Sequence, residues 1–79
     1  GIALKCVWER LCDAVPNLPR QVYSIELMRQ ILHMSERQAL IEAVQELDLS
    51  GLELQVLPPE IRLFRGLQAL DLSDNSLKR

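Results

Sequence analysis

Aromatic residues are scarce in this chain: Trp8, Tyr23 and Phe64 are the only three, 4% of 79 residues. Leucine therefore has to do most of the filling of any core. Glycine is equally sparse, and Gly1, Gly51 and Gly66 are scattered, which excludes a glycine-rich phosphate loop and leaves them to turns. No apolar run comes near the roughly 20 residues that cross a bilayer, and the start of the chain lacks the features of a secretory signal. No membrane partner is expected. Cationic excess is missing as well: the formal net charge is −2, which argues against nucleic acid as a partner. The single histidine, His33, stands between Leu32 and Met34 where a helical pattern ends, a place for a solvated residue rather than a general base.

Cysteine is limited to Cys6 and Cys12, six apart in one predicted helix. At about 3.6 residues per turn they lie on different faces, beyond disulfide reach. Both read as free thiols of a reducing compartment. With His33 they form no recognisable ligand spacing, so no metal and no cofactor is expected. A chain of 79 residues is one small domain at most, burying about 60–65% of its unfolded surface, so its core is marginal without help. Its 48% hydrophobic and 25% charged content is ordinary for a globular protein.

What is present falls into a helical start and a repeat. Val7, Trp8, Leu11 and Val15 form one helical stripe over residues 2–15, broken by Pro16-Asn17-Leu18-Pro19. Val22, Ile25, Met28, Ile31 and Leu32 predict a second helix over 20–34. Ser35-Glu36-Arg37-Gln38 has the form of a capping box, and a third helix is predicted to follow to about residue 45, burying Leu40, Ile41 and Val44.

From Val44 onward the chain repeats itself. Val44/Leu67, Gln45/Gln68, Leu47/Leu70, Asp48/Asp71, Leu49/Leu72, Ser50/Ser73 and Leu54/Leu77 all stand 23 residues apart. On a strand, Leu47 and Leu49 face one side, as do Leu70 and Leu72, while their neighbours face the other. Between the strands, Leu54, Leu57, Ile61, Phe64 and Leu67 recur at a helical spacing. Pro58 and Pro59 suit a first helical turn and Gly66 a stop.

A fixed period with Leu at LxxLxL is the mark of a solenoid, and the segment resembles the leucine-rich repeat family. The resemblance implies an α/β solenoid: a helical N-terminal cap of about three helices over 1–43, then about one and a half repeats with short parallel strands over 44–79. The family places an Asn three residues past the last strand leucine. Asn75 fills that place in the second repeat, and Leu52 departs from it in the first, which suggests that the first repeat abuts a cap. Extracellular members carry paired-cysteine caps, absent here, so an intracellular protein is expected, cytoplasmic or nuclear. The start without Met and the stop just after the second strand point to a piece of a longer solenoid. The alternatives are a partner over the open edge or self-association through it. Leu47, Leu49, Leu57, Ile61, Leu70 and Leu72 are expected to hold the stack, with Leu→Ala at 49 or 70 costing about 2–5 kcal/mol.

By that resemblance the chain is a protein–protein interaction scaffold without catalysis, binding on the concave strand face or its rim. The candidates are Glu46, Asp48, Ser50, Asp71 and Ser73, with Glu53 and Asp74 near the loops. Their carboxylates favour a protein partner with a basic surface. Asp48 and Asp71, about 5 Å apart on adjacent strands, form a carboxylate pair of the kind used in acid–base chemistry, but exposure argues for a solvated polar face. Two other readings remain open. Leu11-Cys12 followed by Leu18-Pro19 loosely resembles the helical boxes that dock substrate receptors onto cullin ubiquitin ligases, although Trp8 and Pro16 depart from that pattern. The stretch is otherwise a targeting or regulatory module of a larger enzyme.

Overall fold

The computed structural model describes residues 2–77. Three helices come first: α1 (Ala3–Ala14), α2 (Ile25–Leu32) and α3 (Ser35–Glu42). Two three-residue strands follow, β1 (Glu46–Asp48) and β2 (Ala69–Asp71), joined through a 3-10 helix at Pro59–Leu63. The fold is thus a small α/β domain of three helices and a two-stranded parallel sheet. Gly1, Lys78 and Arg79, the outermost residues of the two expected segments, lie outside the described residues.

The stripe on α1 buries Leu4, Val7, Trp8 and Leu11, and this face packs against β1 and α2. The helix ends where Val15 turns extended and Asn17 takes a left-handed conformation (φ 63°). The proline break is tied back to the helix by the Trp8 indole, whose Nε1–H donates to the Pro19 carbonyl at 2.8 Å. One hydrogen bond thus satisfies the single polar group of a large buried ring.

The other two helices differ from their predicted spans. α2 starts at Ile25, not at residue 20, because Ser24 takes the N-cap: its backbone is extended and its hydroxyl accepts the Leu27 N–H at 3.3 Å. The predicted capping box of α3 does not form. Ser35 is already helical, and Met34 at the N-cap offers no side-chain acceptor. α3 stops at Glu42 rather than near 45, since the Gln45 carbonyl is already committed to the sheet, accepting from Gln68 and Ala69 N–H at 2.8 and 3.0 Å. Ile41 and Val44 are buried as expected, and Leu40 is half-buried.

Residues between the strands keep the expected three-to-four rhythm but in a tighter helix. Ile61, Phe64 and Leu67 each donate to the carbonyl three residues back, at 3.1, 3.0 and 3.2 Å, the 3-10 pattern. Pro59, at its first position, lacks only an N–H that has no partner there. Leu54, Ile61 and Phe64 are buried, with Leu57 and Leu67 packed beside them. Glu60 is buried in this turn and accepts from Arg29 Nε of α2 at 3.2 Å.

The strands pair Glu46 with Ala69, Leu47 with Leu70 and Asp48 with Asp71. Strand register therefore equals the 23-residue offset of the sequence. Leu47 and Leu49 are buried, whereas Leu70 is 37% exposed and Leu72 only half-buried. Leu70 thus does not hold the core as expected: no strand lies beyond β2 among the described residues.

Gly66 serves packing rather than as a helix stop. A Cβ there would run into the backbone carbonyl of Glu42 at the end of α3, an atom that no rotamer change can move. Gly66→Ala is expected to cost about 2–3 kcal/mol, measured by urea denaturation. Loss of under about 0.5 kcal/mol would mean that the two segments separate freely.

Candidate functional site

The polar side of the sheet carries all five candidate residues. Glu46, Asp48, Asp71 and Ser73 are exposed and Ser50 is half-buried. Leu47 between them is buried, so alternation along the strand turns Glu46 and Asp48 outward. Glu53 and Asp74 are also exposed; of these seven only Glu46, Asp48 and Asp71 line the groove over the strands, and Ser50, Ser73, Glu53 and Asp74 do not.

The two repeats build the same local device twice. Asp48 Oδ1 accepts the Ser50 N–H at 3.0 Å and the Ser50 hydroxyl at 2.6 Å. Asp71 Oδ1 accepts from Ser73 in the same way, at 3.0 and 2.6 Å. The next residue is left-handed in both, Gly51 at φ 65° and Asp74 at φ 57°, which lets the chain leave the strand in one step. The serine hydroxyl and N–H stabilise the charged carboxylate, so both Asp48 and Asp71 are held below the ordinary value of 3.8.

A cation from α1 completes the first of these sites. Arg10 Nη1 donates to the Asp48 backbone carbonyl at 2.9 Å and lies 3.3 Å from its Oδ1. Leu49 N–H donates across to the Asp71 carbonyl at 2.8 Å, so in a parallel ladder the Asp48 carbonyl faces the opposite edge. Arg10 supplies there the donor that a preceding strand would provide. Asp13, one turn further along α1, pairs with Arg20.

Arg10, Asp13, Glu46, Asp48, Ala69 and Asp71 line an open groove of about 840 Å³. Two of its carboxylates carry a cation partner, Asp48 and Asp13. Glu46 and Asp71 have none among the described residues. Arg10 and Asp13 escape sequence reasoning altogether: they sit between apolar positions of a helix, and nothing in their spacing signals a strand 38 residues away.

The helical box reads differently in three dimensions. Leu11 and Leu18 are buried. Cys12 is half-buried with its thiol 3.6 Å from the Pro19 carbonyl, and burial, ahead of the opposing Arg20, pushes that thiol up. These side chains pack against the core of this fold. Cys6 is exposed and free. His33, at the end of α2, is exposed with Nδ1 2.8 Å from the Arg29 carbonyl. Among the described residues no three His, Cys, Asp or Glu side chains converge as a metal site, and no helix is long and apolar enough to cross a membrane.

The lowered carboxylates set a pH dependence. A folded-state pKa below the unfolded one contributes stability that is in place above the ordinary carboxylate range and is lost as pH falls through the folded value. Thermal melts of the chain should therefore drop as pH is taken below about 4. Ser50→Ala with Ser73→Ala should flatten that drop, and an unchanged slope would refute the hydroxyls as its cause. Comparison with known protein families, curated proteins and solved structures gives no match to this chain.

Proposed function

We propose that the chain is a non-catalytic protein-recognition module, built as the helical cap and first coils of a leucine-rich repeat solenoid. Its polar strand face takes a basic segment of a partner protein. Support for the solenoid comes from the single 23-residue offset shared by sequence and strand register. The Asn75 side chain, bonded to both coils, supports it further. The helices supply the cap: α1 packs against β1, whose Leu47 is buried, as the end of a repeat stack requires. Two free thiols suit an intracellular setting.

The observation that carries the binding assignment is Asp71. It stands exposed in the groove, held ionised by Ser73, one strand from an identical carboxylate that already accepts a guanidinium from Arg10. A lysine or arginine of a partner meets there an ionised carboxylate like the one Arg10 pairs with at Asp48, although the Asp71 backbone carbonyl is already taken by Leu49 N–H. The buried Leu11 and Leu18 lend the adaptor reading no such support.

Titration of the chain with an arginine-rich peptide, followed by amide chemical shifts, tests this. Shifts should concentrate at Glu46, Asp48, Asp71 and Ser73, weaken with salt, and be lost in Asp71→Asn with Glu46→Gln while the fold stays intact. Shifts spread over Glu53–Glu60 instead, or equal in the double variant, would sink the assignment.

A further inference from the structure

A second groove, of about 540 Å³, opens between the first turns of α1 and the segment 53–60 that leads into the 3-10 helix. It stands at the capped end of the sheet. Arg10 fixes α1 along the β1 edge that faces away from β2, so a coil added beyond β2 would be placed at the other end. The walls are apolar, with Ile2 and Val56 73% and 63% exposed and Pro59 beside them. The only charged residues lining it, among those described, are Glu53 and Glu60. Glu60 is also the one buried acid of the described residues. Its side chain is 9% exposed and is held through Oε2 alone, by Arg29 Nε at 3.2 Å. Oε1 accepts from no described residue, and a buried carboxylate oxygen left without a donor is costly.

We propose that this groove binds a small aliphatic primary amine, its stem against Ile2, Val56 and Pro59 and its ammonium on Glu60 Oε1. The site is separate from the polar strand face, and the assignment does not depend on that reading. Size and polarity suit a small molecule: such sites run to about 300–1,000 Å³, mostly apolar with a few placed polar groups. Charge selects the head. The lining offers carboxylates and no cation, so a fatty acid would set like charge against like, whereas an ammonium is complementary. The form of the cation follows from Arg29. With Oε2 taken, one oxygen is left for a compact donor and no pair for the two-pronged fork of a guanidinium. An arginine-rich peptide, the ligand of the strand face, is therefore not expected here.

Titration of the whole chain with hexylamine near neutral pH, followed by amide chemical shifts, tests the assignment against hexanol and hexanoate as matched probes. Saturable shifts are expected at residues 2–6 and 56–60, with a Kd of about 1 mM. Hexanol should bind about tenfold more weakly, and hexanoate more weakly still. Glu60→Gln should abolish the preference for amine over alcohol. Val56→Ser, at an exposed wall position, should weaken both about threefold and keep that preference. Should Glu60→Gln unfold for want of its Arg29 pair, the three probes on the native chain and the Val56 variant still decide. Equal binding of hexylamine and hexanol, shifts centred on Asp48 and Asp71, or no saturation would overturn the proposal. A lysine-bearing peptide that binds tighter than the free amine would also overturn it, in favour of a partner's side chain.

Discussion

Asn75→Ala should destabilise the fold by about 3 kcal/mol, one of the two largest single effects expected here. The side chain is a joint between coils. Its Oδ1 accepts the N–H groups of Leu52 and Leu54, both at 3.0 Å. Its Nδ2 donates to the carbonyls of Leu49 at 2.7 Å and Leu72 at 3.0 Å, with a longer contact to Ser73 at 3.2 Å. An amide has two lone pairs and two hydrogens, so its whole capacity is used and the Ser73 contact is shared. Alanine strands two N–H groups and two carbonyls, those of Leu49 and Leu72, each worth about 1–3 kcal/mol when left without a partner. Half-burial of the site lets water recover part of this, which is why the sum stays near 3. In a domain of this size that is a fall of roughly 12–24 °C in Tm. Asn75→Asp should lose nearly as much near neutral pH, because a carboxylate keeps the acceptor role but faces the Leu49 and Leu72 carbonyls with nothing to donate. Loss of under about 1 kcal/mol in Asn75→Ala would mean that water replaces the amide.

How much of this was legible beforehand depends on the range of the interaction. Leu47 and Leu49 were readable as the inward side of a strand because the signal is local, two residues long and repeated once. Strand register followed from the same offset, and the α1 stripe from its own spacing. Asn75 is legible only as the Asn that the family resemblance places past the strand, not as one reaching back across 26 residues to Leu49. The capping box expected at α3 does not form because Ser-x-x-Gln states only a local preference, and the chain's approach from α2 puts Met34 at the cap. Ser24, an N-cap in fact, lay inside a continuous apolar pattern that hid the start of α2. The groove shares that limitation. Its strand side was readable residue by residue, but its wall is α1, and which helix face lies over Asp48 is decided by burying Trp8 and Leu11, not by anything near Arg10.

Leu47→Ala and Leu70→Ala occupy equivalent places in the two coils, yet their expected costs differ several-fold. Leu47 is 3% exposed, under α1 on one side and β2 on the other. Its truncation opens a cavity that helices tied down by Trp8 and Arg10 cannot collapse to fill, at about 2–4 kcal/mol. Leu70 is 37% exposed, so its truncation removes little buried area and should cost under about 1 kcal/mol in dilute solution. Urea denaturation should therefore show a Leu47→Ala deficit several times that of Leu70→Ala. Equal costs for the two at low concentration would mean that Leu70 is packed where the structure has it open.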